Sequence, residues 1–576
     1  MGLLSSALQI GRSALTSYQS ALEVTGNNVA NAGNADYTRQ TAQLSSIQGG
    51  PLPEGMRPGA GVALTALRRH IDEALESRLR TAISDAASAV AGRELLFGVE
   101  TLFDEFNGGG LSARFLDFFN DLEELANDPT DAGLREVVLS DGASLADAMR
   151  TLRSDLAGLA ESFADEVVAL VQQADTLAGQ IASLNSEINQ AEAGSTSGAS
   201  ALRDQRDAAL RDLSEIIDVA VRIQPDGMVN VYVGNETLVT GAISRGLIAV
   251  EELDGETRTM SVRFADSNAQ VRPDGGRLEG LILGGGSHIE DWISTLDRLA
   301  AGVIADVNRV HADGQGLVGF TSVTGAAVVS DPQLVLSDPA HGWVPSVTNG
   351  SFYITVTDDA TGTGTGYQIE VDLDGIDSDT TLESLRDQIN NDVAGVTATI
   401  TVDNRLQLVA ESGLTFSFGS DGEEARADTS GFLAAAGINT FFTGSGAGDI
   451  RVNSTLLGNN SFLAASTSGL SGDGANAGLM ASLAEANSAM LGSISITGFY
   501  NGLASSVAVT TSATSASATA AESVRSSLRA QRESISGVSL DEEAIELVKL
   551  QRAFQAAARF VGVVDDMIQE ILQLVR

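Results

Sequence analysis

The side chains best suited to catalysis or metal binding in this sequence are histidines and one acidic cluster. The four histidines are His70, His288, His311 and His341. No two of them are four residues apart, the spacing that puts two imidazoles on one helix face for zinc. The sequence has no cysteine and a single lysine, Lys549, which excludes thiolate chemistry and a G-x-x-x-x-G-K-[ST] phosphate loop. We therefore predict no catalytic residues and no cofactor.

An acidic cluster and a glycine run are the other candidate ligand sites in the sequence. The cluster contains Asp372, Asp374, Asp377, Asp379 and Glu383. A calcium loop alternates its oxygen ligands and has glycine at the sixth position, where this run has Asp377. We interpret the cluster as an exposed acidic turn, with calcium as the alternative, and predict no metal site. Gly284–Gly286 precede a predicted helix without a nearby basic residue, which favours a strand-to-helix turn over a phosphate site.

Length and charge narrow the class of protein. The chain has 576 residues and a formal net charge of -42, so we expect several domains and neither nucleic acid nor an anionic membrane as partner. No apolar run approaches the ~18 residues that cross a bilayer. The first residues lack the basic segment of a secretory signal, so we expect no cleaved signal peptide.

Both ends of the chain carry apolar residues at steps of three and four, which is typical of helices that pair along a seam. The N-terminal set is Leu4, Leu8, Leu15, Tyr18, Leu22 and Val29. The C-terminal set is Leu547, Leu550, Phe554, Ala557, Val561, Val564, Ile568, Ile571 and Val575. Ser539 before Asp541–Glu543 predicts an N-cap for the second helix. We predict that the two sets form an assembly interface; the alternative is a C-terminal helix packed on its own domain.

The sequence between the ends predicts long helices interrupted by strands. Helical patterns cover 69–105, 134–190, 200–217, 288–311 and the polar stretch 504–521, with breaks at Gly108–Gly110 and Asp128-Pro129. A β-hairpin pattern occupies 219–233, and strands dominate 350–425 around one helix. The predicted fold is α+β and multidomain, with the terminal helices paired in a coiled-coil stalk, a long-helix body and inserted β-rich domains. The predicted domains are 1–40 with 538–576, 41–325 with 435–537, and 326–434.

One stretch carries a family resemblance. In LEVTGNNVANAGNADYTRQ, residues 22–40, helix-forming residues give way to an asparagine-rich turn and an extended arm. The residues of this signature turn are Asn27, Asn28, Asn31, Tyr37, Thr38, Arg39 and Gln40. The stretch resembles the N-terminal signature of the bacterial flagellar rod, hook and hook-associated axial proteins. The DQRD segment within 202–221, NRVHADG at 308–314 and SGV-LDEE within 534–567 are similar to further segments of the hook-associated members, although Glu236 stands where they often have glycine.

The resemblance implies a structural protein without enzymatic activity. Its members are exported through the flagellar type III apparatus, pair their terminal helices around an axial channel, and form the junction layer on which the filament assembles. The implied partners are further copies of the chain, the hook protein, a second junction protein, the export apparatus, and a chaperone that binds the C-terminal helix. The implied location is the extracellular flagellum, after a cytoplasmic stage.

Three alternatives stay open. A hook or distal rod protein belongs to the same axial group, but the long helical body and Tyr37–Gln40 favour the junction members. An enzyme displayed by residues 326–434 would be expected to show a nucleophile or metal motif, which that segment lacks. An adhesin displayed by the same segment predicts binding to a host or matrix surface.

Overall fold

The computed structural model describes residues 2–48, 59–103, 110–193, 198–254, 257–376, 378–421 and 423–574. It confirms the predicted α+β multidomain class, because helices of up to 61 residues alternate with small antiparallel sheets. None of the described helices is both long and apolar enough to cross a membrane.

The chain divides into two compact units. Unit 1 contains Met1–Leu95, Ser162–Gly286 and Ser512–Arg576, and unit 2 contains Leu96–Glu161 and Ser287–Thr511. Three of the four divisions fall inside long helices, which are α2 (Glu73–Phe103), α4 (Ala132–Glu192) and α12 (Ile496–Ser536), and the fourth falls in a π-helical segment, Ile282–His288. The domain boundaries expected from the sequence, which follow a different scheme, stay a prediction.

Unit 1 is built around the two ends of the chain. Its other helices are α1 (Gly2–Ala30), α5 (Ser200–Ile216), α6 (Gly276–Leu281) and α13 (Leu540–Leu574). The strands β1 (Gln40–Gln48) and β2 (Gly59–Arg69) form an antiparallel arm that packs on α1. Ser539 Oγ lies 3.5 Å from the backbone N of Glu542, as the predicted N-cap of α13 requires.

Two small antiparallel sheets complete unit 1. The first has the order β3-β4-β5-β6 and contains β3 (Ala220–Ile223), β4 (Val229–Val233), β5 (Glu236–Thr240) and β6 (Ile243–Ser244). The second has the order β7-β8-β9 and contains β7 (Leu247–Asp254), β8 (Thr257–Phe264) and β9 (Gln270–Val271). The pairing of β3 with β4 confirms the predicted hairpin. Buried Asn185 fixes this sheet on α4, because its amide bonds to both N and O of Val229.

The strand-to-helix turn predicted at Gly284–Gly286 is wrong. Instead, α6 continues through a π-helical segment, Ile282–His288, into the next helix, α7 (Ile289–Ala312). Close packing on α2 explains the small residues here. A Cβ at Gly280 would lie 2.2 Å from Ser88 O, and one at Gly284 would lie 3.3 Å from Leu95 Cδ1. These glycines serve a helix contact and not a loop.

The helical part of unit 2 confirms the predicted breaks. After α2 ends at Phe103, α3 spans Leu111–Asn127, and α4 follows the Asp128-Pro129 turn; Gly108 and Gly109 lie outside the described residues. The predicted polar helix at 504–521 is the middle of α12. The shorter elements are α9 (Phe432–Ala436), β16 (Phe442–Thr443), β17 (Arg451–Val452), α10 (Ser454–Gly458), α11 (Ala475–Ser482), β18 (Asn487–Ser488) and β19 (Ile494–Ser495).

The β-rich insertion of unit 2 has a core of its own. Its elements are β10 (Ser322–Thr324), β11 (Gly350–Asp358), β12 (Gly364–Val371), α8 (Leu382–Asp392), β13 (Val396–Ile400), β14 (Leu406–Ala410) and β15 (Leu414–Phe418). They form two three-stranded sheets, ordered β12-β11-β15 and β10-β14-β13. Phe352, Phe416 and Phe418 are buried in a continuous apolar cluster with α8 and α9. The predicted strand-rich segment with one helix is confirmed.

Candidate assembly interface

The two ends of the chain pack against each other through small residues of α1. Gly11 is buried, and a Cβ added there would lie 2.5 Å from Val561 Cγ2 and 3.2 Å from Phe560 Cδ1 of α13. Ser17 is also buried and donates a hydrogen bond to Val62 O of β2. The buried positions of α1 are Gly11, Ser17, Ala21, Thr25 and Asn28. Because none of these side chains is large, α1 can approach both α13 and the arm closely.

The predicted apolar stripe of α1 is therefore displaced from the face that is buried. Leu8 and Val29 are exposed, so within one chain they do not belong to the α1–α13 contact, contrary to the seam expected from spacing. The half-buried members are Leu4, Leu15, Tyr18 and Leu22. The physical reason is that α1 lies between α13 and β2, and small residues provide its closest contacts.

On α13 the buried face follows the predicted seam more closely. Leu550 and Val564 are buried, and Ile571 is exposed. Val575 lies outside the described residues. The half-buried members are Leu547, Phe554, Ala557, Val561 and Ile568. Whether any of these side chains contacts a neighbouring subunit stays a prediction.

A second face of α13 carries large apolar side chains that are exposed in the single chain. They also recur at steps of three and four, apart from one polar gap in the middle of the helix. This outer face of α13 consists of Ile545, Val548, Phe560, Val563 and Met567; Phe560 stands at its edge, where it also lies beside Gly11 of α1. A cavity of about 440 Å³ lies beside its beginning, lined by residues of α1, of β1 and of α13, including Ile545. Soluble chains seldom leave such a stripe uncovered.

Asn28, at the end of α1, is the centre of a buried polar network. Its Nδ2 donates to Gln40 O at 2.8 Å and to Glu543 Oε2 at 2.9 Å. Its Oδ1 accepts from Tyr37 Oη at 2.8 Å and from Gln40 N at 3.1 Å. The amide is thus fully satisfied by the arm and by the start of α13, which is how a buried amide becomes stabilising.

Glu543 of α13 also belongs to this network, and its partner Arg39 extends the network to α12. Its carboxylate is 3% exposed and accepts from Arg39 Nε at 2.8 Å as well as from Asn28. The backbone N of Arg39 donates to Ser536 O, the last residue of α12, at 2.9 Å. Arg39, the residue before β1, therefore bonds to the helices on both sides of the turn between α12 and α13.

The DQRD segment of α5 holds the arm from another direction. Arg69 Nη2 lies 2.6 Å from both Asp204 Oδ1 and Asp207 Oδ2, and Thr38 N donates to Asp204 at 3.4 Å. Burial lowers the pKa of Arg69, but Asp207 and Asp204 raise it to a net value above its usual range. Burial, together with the charges of Asp204 and Glu543, raises the pKa of Tyr37 to about 12. Tyr37 therefore stays a neutral hydrogen-bond donor at physiological pH.

A third group of charges ties α2 to α12. Arg532 Nε lies 2.8 Å from Glu76 Oε1, and Arg532 Nη1 donates to Ala35 O at 2.6 Å. Arg211 of α5 reaches Glu76 at 3.4 Å and Asp36 at 2.8 Å. Together these residues form one polar junction, defined as Asn28, Asp36, Tyr37, Thr38, Arg39, Gln40, Arg69, Glu76, Asp204, Asp207, Arg211, Arg532 and Glu543.

The predicted signature turn supplies five of the thirteen residues of this junction. Asn28 and Tyr37–Gln40 belong to it, whereas the Asn31 side chain donates to Asn27 at the end of α1, outside the junction. The sequence reasoning missed the charged partners from the other helices. Several of them lie in segments that carry the family resemblance, including Asp204 and Glu543, and buried charges need partners of opposite sign. The need for partners of opposite charge could have indicated that these segments lie close together in the fold.

The candidate metal and catalytic residues have structural partners. The carboxylates of Asp372, Asp374 and Asp379 lie within 4.8 Å of one another, but Asp374 accepts from Ile376 N, and Asp379 accepts from Gly375 N. Asp377 lies outside the described residues. The histidine contacts are Thr41 for His70, Trp292 for His288, Asn439 for His311, and Ser330 with Val335 for His341. The cluster is an acidic turn that caps its own backbone.

Known protein families match the chain along its length. Residues 96–326 match the flagellar hook-associated protein FlgK helical domain, and 529–574 match the flagellar basal body rod FlgEFG protein C-terminal family. Residues 354–412 match the flagellin hook IN motif, and 8–33 match the flagella basal body rod protein family.

Curated relatives match over almost the whole chain. Flagellar hook-associated protein 1 of Escherichia coli strain K12 is 26% identical, with 99% of this chain and 100% of that protein covered. The protein of the same name from Bacillus subtilis strain 168 is 24% identical, covering 98% of this chain and 97% of that protein. The solved flagellar hook junction protein FlgK from Burkholderia pseudomallei is 17% identical, with a TM-score of 0.49 over 80% of this chain and 100% of that one. From the helical-domain match and the full-length relatives, the chain belongs to the flagellar hook-associated protein 1 (FlgK) family of structural proteins.

Proposed function

We propose that this chain forms the junction layer between the flagellar hook and the filament, and that its paired terminal helices are the element that joins neighbouring subunits. The observation that carries the proposal is the outer face of α13, which stays exposed after α1 has covered the opposite side of the helix. A chain of this family assembles with other axial proteins, so a helix with two apolar faces fits a position inside a helical stack.

The energetics favour association through this face. Burying one large aliphatic side chain contributes roughly 1.5–3 kcal/mol, and the outer face offers five large apolar side chains. Even after the cost of ordering and docking is subtracted, such a stripe supports helix–helix contacts between subunits. The partners we propose are further copies of the chain, the hook protein below them and a second junction protein above them.

Before assembly the same face needs a cover. We propose that an export chaperone binds α13 in the cytoplasm, and that the flagellar type III apparatus then carries the chain out of the cell. A chaperone groove for an amphipathic helix would recognise apolar side chains at helical spacing, as Val548, Phe560 and Val563 provide. The extracellular hook–filament boundary is the final location.

The polar junction would set the geometry of the joined ends. Buried polar groups cost desolvation energy, and they are satisfied in only one relative position of the elements that carry them. In this chain that position fixes the end of α1 against the start of α13, with the arm between them. We propose that this alignment determines the angle at which the stalk enters the assembly.

The family is structural, and we propose that this chain carries out no reaction of its own. An enzyme or adhesin in the insertion stays an alternative without a supporting observation. Zymography and surface-binding assays with the complete chain test both alternatives, and activity or saturable binding would contradict a purely structural role.

Electron microscopy of a deletion strain tests the junction role. Cells without this chain should have hooks without filaments and should shed flagellin into the medium, and the wild-type chain should restore filaments. A chain lacking 541–576 should fail to restore them. Normal filaments in the deletion strain would contradict the proposed function.

A matched pair of point variants tests the outer face. Ile545 on α13 is 71% exposed and Ile243 on β6 is 70% exposed, so glutamate at either position costs the isolated chain little. Ile545→Glu should reduce filament restoration at least severalfold, whereas Ile243→Glu should restore filaments normally. Equal restoration by both variants would show that subunits do not join through this face.

A further inference from the structure

The NRVHADG segment, residues 308–314 at the end of α7, anchors the β-rich insertion through buried side chains, and we call this segment the mount. Asn308 bonds to both N and O of Phe442, at 2.8 and 2.9 Å. Asn439 donates through its amide to His311 O, Ala312 O and Gly314 O. The chain thus leaves α7 and returns beside it under a set of neutral side chain–backbone bonds.

His311 in this mount is held as a neutral imidazole. Its Nε2 accepts from Ala464 N at 3.0 Å, so the proton lies on Nδ1, which donates to Asn439 O at 2.8 Å. The side chain is completely buried, and burial lowers its pKa to about 4. Protonation would point a second N–H at the Ala464 amide, so the mount requires the uncharged form.

Asp313 follows at the exit from α7 and faces a second carboxyl group. Its Oδ1 accepts from Asp428 N at 2.6 Å, and its backbone O lies against Gly419, where a Cβ would be only 1.9 Å away. Both contacts join the segment that follows α7 to the insertion. Burial is the main cause that raises the pKa of Asp313 to about 7; the nearby Asp428 raises it further, while the Asp428 amide and exposed Arg309 lower it.

Asp428 differs from Asp313 in the number of donors that it accepts. Its two oxygens accept from Ser430 N, Ser430 Oγ, Gly431 N and Leu433 N, and so cap the start of α9. Burial raises the pKa of Asp428 as well, but its four donors counter that rise, whereas Asp313 has a single amide donor in a half-buried site. The pair therefore binds its proton on Asp313.

We propose that Asp313 and Asp428 form a proton-controlled latch between α7 and the insertion, closed while Asp313 is protonated and weakened when both carboxylates are ionised. The bond from Asp428 N to Asp313 favours the ionised carboxylate, but burial of Asp313 and repulsion by Asp428 oppose ionisation more strongly, so ionisation strains this contact and the capped turn that follows it. An extracellular chain that carries such a latch would adjust the attachment of its insertion to the pH of the medium. The latch itself does not depend on the function proposed above; only its exposure to the medium rests on that proposal.

The direction of the effect follows from proton linkage. In the opened latch Asp313 is solvated and ionises near its ordinary pKa of about 3.9, while the closed latch retains the proton to about pH 7. The closed form binds more protons across this interval, so raising the pH favours opening. Protonation of His311 acts oppositely, because it destabilises the mount as the pH falls below about 6.5.

Hydrogen exchange of the full-length chain at pH 6 and pH 8 tests the latch. The readout is the protection of the amides at 428–433, corrected for the intrinsic exchange rate, in the wild type and in Asp313→Asn. The side-chain amide introduced by this substitution preserves an acceptor for Asp428 N and cannot ionise. The opening of the wild type relative to this variant should rise about tenfold between pH 6 and pH 8, and His311 cancels from the ratio.

Two further variants keep the test decisive. Glu423→Gln removes an exposed acid from the same loop and should behave as the wild type. Asp428→Asn removes the facing charge and so lowers the pKa of Asp313 in the closed latch, which should make the rise in opening between pH 6 and pH 8 smaller than in the wild type. This result remains available if Asp313→Asn does not fold. A wild-type opening that does not change with pH, or the same pH dependence in Asp313→Asn, would overturn the latch.

Discussion

The polar junction of unit 1 and the mount of unit 2 each hold separate segments of the chain together, but with different chemistry. In the junction, ionised partners such as Glu543 with Arg39 and Glu76 with Arg532 join helices that are distant in sequence. In the mount, neutral groups of His311 and Asn439 bond to backbone atoms near one chain crossing. We therefore expect the stability of the junction to change little with pH near neutrality, whereas the stability of the mount should depend on pH.

The largest loss is expected on breaking a fully buried ion pair of the junction. Arg532→Leu leaves Glu76 buried with only the longer contact to Arg211, which should lower the free energy of unfolding of unit 1 by about 3–5 kcal/mol. Urea denaturation followed by circular dichroism measures this loss. Arg529→Leu, one turn away at an exposed position, should change stability by less than about 0.5 kcal/mol. Equal losses would show that the junction is not special.

The mount should show the opposite sensitivity, to acid. The pKa of His311 is lowered to about 4 in the folded chain, so between about pH 6.5 and pH 4 the unfolded chain binds the extra proton. The unfolding free energy of unit 2 should therefore fall by about 3 kcal/mol across that window. His311→Gln should be less stable near pH 7 and should lose most of this dependence. An unchanged acid dependence in the variant would assign it to other groups.

Asn28 tests whether the neutral centre of the junction matters as much as its charges. Asn28→Ala removes two donors and two acceptors and leaves the Glu543 carboxylate with Arg39 alone among its side-chain partners, so we expect a loss of about 2–3 kcal/mol. Asn27→Ala at the neighbouring exposed position should cost well under 1 kcal/mol. Thermal unfolding of both variants gives the difference, and similar melting temperatures would remove Asn28 from the centre.

The smallest change in stability is expected from substitutions of two glycines of α1. Gly11→Ala places a methyl group 2.5 Å from Val561 Cγ2, and we expect a loss of about 1–2 kcal/mol. Gly26→Ala meets nothing within 4 Å and should instead stabilise the helix by up to about 1 kcal/mol, because alanine is the better helix former. Opposite signs in calorimetry would support close packing of α1 on α13, and stabilisation by both would contradict it.

The sequence predicted the helices, the hairpin and the insertion because long periodic segments and turn residues report local structure directly. Two large apolar residues of the predicted α13 set, Leu550 and Val564, are buried in the single chain, and the role of the set as an assembly interface stays a prediction. The sequence misplaced the buried face of α1, where Gly11 and Ser17 make the contact and carry little hydrophobic signal. Apolar spacing detects large side chains, and a close contact made by small ones leaves no such pattern.

The junction could not be assembled from the sequence because its members are far apart along the chain. Asn28 and Glu543 are separated by 515 residues, and Arg532 and Glu76 by 456. Each segment alone predicts a helix or a turn, and only the fold brings their charges together. The turn predicted at Gly284–Gly286 is wrong for a related reason, since Gly284 belongs to a π-helical segment and packs on Leu95 of α2, which is distant in sequence.

The central claim is that this chain occupies the boundary between hook and filament. Immunogold electron microscopy of intact flagella, with antibodies raised against the complete chain, tests it most directly. We expect a single labelled band where the hook meets the filament. Labelling along the filament, along the hook or only at the cell body would contradict it.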